Sequence, residues 1–100
     1  MNTTYYKVGD RNVIDKDPLA SLDYTFRWVD WLALVGDAIS SFVITTSPGL
    51  TMVSSTLGSG FVVVTVGGGY LGQMSFVTCK ITTVGGRVDE RTIYFNITPR

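Results

Sequence analysis

Leu22, Tyr24, Phe26 and Trp28 are apolar, and Asp23, Thr25 and Arg27 between them are polar. A period of two sends the first set to one face of an extended chain, so this stretch predicts a half-buried strand. The same pattern returns further on. Val62, Val64 and Val66 share a face in "FVVVTV", Val77, Cys79 and Ile81 alternate with Thr78, Lys80 and Thr82, and Ile93, Phe95 and Ile97 alternate with Thr92, Tyr94 and Asn96. In Ala38–Thr46 the apolar positions change phase between Ile39 and Phe42, which a bulge near Ser40-Ser41 would correct. "LTMVSST" reads as a further short strand.

Turn residues separate these runs at Ser47-Pro48-Gly49, Leu57–Gly60, Gly67–Gly72 and Gly85-Gly86, the last joining the final two strands as a hairpin. No long amphipathic helix is readable. "VDWLALVGD" suggests one helical turn closed by Gly36, a plug at the end of the core with Trp31 or Leu32 inserted. Six or seven antiparallel strands about ten residues apart predict an all-β, Ig-like β-sandwich. Residues 1–20 show neither period and end at Asp17-Pro18. They are expected to form an extended N-terminal arm, with 21–100 as the sandwich. Two readings fit the arm: a contact segment, in which "TTYYKV" adds a strand to a neighbour, or a tail ordered only in part.

Composition narrows the chemistry. Eight basic and eight acidic residues cancel and are scattered, so no basic stripe exists to displace the counterions of a nucleic acid. A neutral, lightly charged surface favours association, as inside an assembly. The chain has no histidine and one cysteine, which removes the commonest general base, the commonest metal ligand and any internal disulfide. Cys79 lies in phase with Val77 and Ile81 and reads as a core thiol. Asp89 and Glu90 are neighbours on a strand and point to opposite faces, so they cannot work as a pair. No cofactor, metal, membrane or catalytic residue is expected. The N-terminus has no apolar signal core, which predicts synthesis and folding in a cytoplasm. Arg87, Asp89, Glu90 and Arg91 read as hairpin ion pairs, or, for Arg91, as a partner of Asp30 or Asp23 that orders the plug.

The run "VTVGGGYLG" contains G-x-G-x-x-G at Gly67, Gly69 and Gly72, with Asp89 about twenty residues on, the outline of a dinucleotide fingerprint. Such a site needs a helix straight after the glycines. Here a period-two, Thr- and Val-rich segment follows, so the glycines are expected only to turn the chain. Tyr70 and Leu71 then occupy a glycine-flanked tip, either folded back as a lid or offered to a partner.

Several of these elements recur together elsewhere. Lys16-Asp17-Pro18, Asp23-Tyr24, Trp28, Trp31-Leu32, Gly36-Asp37, Ile39-Ser40-Ser41, Gly68-Gly69, Gly72, Ile81-Thr82-Thr83 and Gly86-Arg87 through Arg91 stand in the order and spacing of a family of small tailed-bacteriophage virion proteins described as fibre–tail adaptors. The chain resembles that family over residues 16–97. It departs from it at Arg27, where an acidic residue is usual, and at Val29, where Ser is common. The resemblance implies a non-enzymatic structural protein of the virion that joins tail fibre or spike to the tail. Its partners would be other virion proteins, in a symmetric multi-copy assembly. The arm, with Tyr5, Tyr6, Lys7 and Arg11, is the first expected contact, and the Tyr70-Leu71 tip the second. A capsid decoration (cement) protein bound to the capsid shell is the nearest alternative. A carbohydrate-binding module using Trp28, Trp31 or Tyr70 as a platform is the alternative of another class.

Overall fold

The computed structural model describes residues 6–8 and 11–98, with side chains from Val13 onward. Eight strands and one short helix follow in order: β1 (Tyr6–Val8), β2 (Arg11–Lys16), β3 (Leu22–Arg27), α1 (Val29–Val35), β4 (Ile39–Thr46), β5 (Leu50–Leu57), β6 (Phe61–Gly68), β7 (Met74–Thr83) and β8 (Val88–Ile97). They form a five-stranded sheet in the order β1-β2-β8-β7-β4 and a three-stranded sheet in the order β3-β6-β5. The two sheets close on one core as a sandwich, so the chain is all-β as its alternation predicts.

The core is the sum of the inward faces. Tyr24 and Phe26 from β3, Val62, Val64 and Val66 from β6, Val77, Cys79 and Ile81 from β7, and Ile93, Phe95 and Ile97 from β8 are all buried in one cluster. The bulge expected near Ser40-Ser41 is present, as a register shift between Ile39 and Ser41 where β4 pairs with β7. It brings Phe42 and Ile44 back to the core side beside Ile81 and Cys79. Gly85 and Gly86 lie in the turn between β7 and β8.

Two features differ from the pattern. Among the described residues the strands number eight, and one pair is parallel: β2 runs alongside β8, with Val13 opposite Tyr94 and Lys16 opposite Ile97. Residues 11–16, placed with the arm on sequence grounds, are thus built into the five-stranded sheet, and Val13 and Lys16 are wholly buried. The polar letters of "RNVIDK" give no period, because this strand borrows its place from β8 rather than from an alternating face of its own. β1 folds back on β2, so Tyr6 lies opposite Val13 within the same chain.

The helical turn sits where β3 leaves the sheet. Trp28 donates its backbone N–H to the Gly60 carbonyl at 2.9 Å, and its own carbonyl accepts from Leu32 at 2.8 Å. Leu32 is the buried plug, and Trp31 packs half-buried against the cluster. Gly36 ends the helix at φ 66°, a left-handed position that other residues enter at a cost.

Candidate contact surfaces

At the end of the sandwich that carries α1, side chains from β3 and β8 converge on Trp28. The indole is buried and stacks on Phe26, with ring centroids 6.1 Å apart. Its Nε1–H donates to Asp89 Oδ2 at 2.8 Å. The Arg91 guanidinium lies over the indole, 5.0 Å from its centroid, where the ring quadrupole attracts a cation. Arg91 also donates through Nη1 to the Arg27 carbonyl and sits 3.8 Å from Asp89. Arg91 therefore does order the region of the plug, but through Trp28 and Asp89 rather than Asp30 or Asp23. The reason is register. Asp89 and Arg91 are two apart on β8 and share a side, while Asp23 is held by the Thr65 hydroxyl on the neighbouring strand.

A second clamp lies beside the first. Asp37, just after Gly36, receives the Arg87 guanidinium at 2.9 Å, the Gly85 N–H at 3.0 Å and the Ala38 N–H at 2.9 Å. The Thr83 hydroxyl, these N–H groups and Arg87 hold its carboxyl well below the usual carboxylate range, against the opposing effect of burial. This ties the β7–β8 turn to the start of β4. A cavity of about 320 Å³ lies at this end, lined by Arg27, Trp28, Val29, Asp30, Trp31 and Arg91. A sugar platform needs an open aromatic face. Trp28 has none, since Phe26, Asp89 and Arg91 occupy its surroundings.

The opposite end is built on backbone. Lys16, at the end of β2, is wholly buried, and its Nζ donates to the carbonyls of Gly68 at 2.7 Å and Asp17 at 2.9 Å. Burial pushes this ammonium below its ordinary 10.5, and neighbouring Asp17 pulls it back up. The Gly69 N–H donates to the Gly49 carbonyl at 2.9 Å, and the Gly72 N–H to the Ile97 carbonyl at 3.0 Å. Gly69 sits at φ 107°, and a Cβ there would lie 2.5 Å from Ile97 Cδ1, so only glycine fits. The glycine run is thus a strand end and a turn. Gly67 and Gly68 belong to β6, and β7 follows with no helix, which leaves no dinucleotide site.

Large apolar side chains are exposed at this end. Leu71 is 59% exposed and Tyr70 55%, the tyrosine ring lying over Gly49. Tyr70 is thus laid on the chain beneath it while keeping half its surface open. Leu19, in the turn after Lys16-Asp17-Pro18, is 95% exposed at the same end. Leu19 escaped the sequence reading because nothing near it alternates. Of the arm residues expected to make contacts, Tyr5 lies outside the described residues. Tyr6, Lys7 and Arg11 fall in β1 and β2, and their side chains lie outside the described residues too.

Three of the groups considered for chemistry have other settings in the fold. Asp89 is committed to Trp28, and Glu90 lies on the outer face opposite Lys80. Cys79 is a core residue whose thiol burial pushes up to about 12, so it stays protonated. Among the described residues no group of His, Cys, Asp and Glu is placed to hold a metal ion, and no helix is long and apolar enough to cross a membrane.

Among the residues that carry the family resemblance, Lys16, Trp28, Asp37, Gly69, Arg87, Asp89 and Arg91 form these clamps. In comparison with known families, the model described as "Podophage GP4 fiber-tail adaptor protein gp77" matches residues 16–96. No curated protein matches the chain.

Proposed function

The chain belongs to the podophage GP4 fiber-tail adaptor family, and we propose that it is the structural joint between tail fibre or spike and tail, without enzymatic activity. A phage tail adaptor is a virion component that binds other virion proteins. The observation that carries the finer reading is how the signature residues are used. Trp28, Asp37, Arg87, Asp89 and Arg91 spend their polar groups on one another, and Lys16 spends its ammonium on backbone carbonyls. A family whose recurring polar residues are consumed by folding recognises partners through shape and apolar surface, not through a reacting group. The partner-facing end is the glycine end, through Tyr70 and Leu71, with Leu19 exposed at the same end. The N-terminal segment with Tyr5, Tyr6, Lys7 and Arg11 supplies the second contact. Net charge of zero fits neighbours that are proteins rather than nucleic acid.

Copy number per purified particle, by quantitative mass spectrometry, tests this reading. A number that tracks the tail and fibre subunits is expected. A number that tracks the major capsid protein would replace the adaptor with a decoration protein, and absence from the particle would remove both.

A further inference from the structure

Residues 38–79 contain no Asp, Glu, Lys or Arg, although the rest of the chain is ordinarily charged. The fold turns this run into one flank of the sandwich. It supplies β4 at the edge of the five-stranded sheet and β5 at the edge of the three-stranded sheet, two edges that lie next to each other. Edge strands are usually guarded by lysine, proline, shortness or a bulge, since their free N–H and C=O groups invite another strand. β5 is eight residues long and has neither charge nor proline. Its one guard is a register shift between Met52 and Ser54.

That shift gives β5 a symmetry. Before it, Leu50 and Met52 lie opposite Gly68 and Val66 on the core side; after it, Ser55 and Leu57 lie opposite Val64 and Val62 on the same side. Thr51 and Thr56 lie on the outward side. Read from either end, Leu-Thr-Met-Val-Ser-Ser-Thr-Leu meets the core side, the outward side and the core side in the same order. An antiparallel pairing of β5 with another β5 about the Val53–Ser54 centre sets Leu50 opposite Leu57, Thr51 opposite Thr56 and Met52 opposite Ser55. Every pair matches in face, and the outer two match in residue type. Met52 and Leu57 point to the core side yet remain 40% and 39% exposed, because no strand stands beyond them.

We propose that two copies of this chain join through β5, isologously, merging their three-stranded sheets into one six-stranded sheet. The partner is a second copy because the register is self-complementary. The charge-free flanks also bring no like charges together. This inference stands apart from the adaptor reading and from the glycine end.

Sedimentation of the full chain from micromolar to millimolar concentration is expected to show a monomer–dimer equilibrium. Thr51→Lys with Thr56→Lys places like charges opposite each other across the pair and is expected to weaken association by at least about tenfold. Thr51→Lys with Thr56→Glu restores it, and Val84→Lys, on the remote β7–β8 turn, leaves it unchanged. A mixture of Thr51→Cys and Thr56→Cys chains, oxidised with diamide, is expected to form an inter-chain disulfide. Either variant alone is not, because like positions then lie about 17 Å apart, beyond disulfide reach. A wild-type chain monomeric throughout would overturn the proposal. So would a dimer indifferent to the double-lysine variant, or cross-linking as efficient within each single variant as in the mixture.

Discussion

The two ends of the sandwich are closed by different means. At the α1 end, side chains do the work: Trp28, Asp89, Arg91, Asp37 and Arg87 satisfy one another, while Leu34 and Val84 stay exposed around them. At the glycine end, backbone meets backbone, through Gly69 on Gly49 and Gly72 on Ile97, with one buried lysine as the pin. Glycines have no side chain to place, so the bulky residues among them, Tyr70 and Leu71, turn outward. The first end uses its chemistry inwardly. The second closes on its main chain and leaves Tyr70 and Leu71 more than half exposed.

The difference is sharpest at Trp28. Trp28→Ala removes a buried indole, its hydrogen bond and the seat of Arg91, and is expected to cost about 3–5 kcal/mol in urea unfolding. A cost below about 1 kcal/mol would mean that the α1 end is not closed by side chains. Lys16→Met at the other end keeps the apolar stem but leaves the Gly68 carbonyl without its donor, and is expected to cost about 1–3 kcal/mol. An unchanged midpoint would show that the glycine end closes without its pin.

Asp37 gives a smaller effect that depends on pH. Its folded-state carboxyl titrates below the ordinary 3.8, so its contribution is complete above that value and is lost as pH falls below it towards the folded-state pKa. Asp37→Asn is therefore expected to lower stability at neutral pH and to flatten the fall in stability on acidification below about pH 4. An acid limb as steep as that of the wild-type chain would remove the clamp from the account. Tyr70→Ser and Leu71→Ser sit at exposed positions and are expected to shift stability by no more than about 0.5 kcal/mol. A larger loss would make the tip a lid over the core rather than a contact.

Legibility in the sequence followed periodicity. β3, β6, β7 and β8 alternate because one face of each is core, and even the bulge in β4 showed as a change of phase between Ile39 and Phe42. β2 did not show. Its lysine is buried against a carbonyl 52 residues away, and its parallel pairing with β8 has no hairpin to announce it. The plug was visible, but the partner of Arg91 was not, since Asp89 and Trp28 meet only when β8 crosses the end of β3. Tyr70 and Leu71 were legible as a tip because glycines flank them. Leu19 was not, because an exposed leucine in an irregular turn has no pattern to break.

Particles assembled with the triple variant Leu19→Ser, Tyr70→Ser, Leu71→Ser test the central claim most directly. The variant chain is expected to fold like the wild type and to be missing from the particles, which then lack fibres in negative-stain images. Fibre-bearing particles holding the variant at wild-type copy number would contradict it and remove the glycine end as the contact surface.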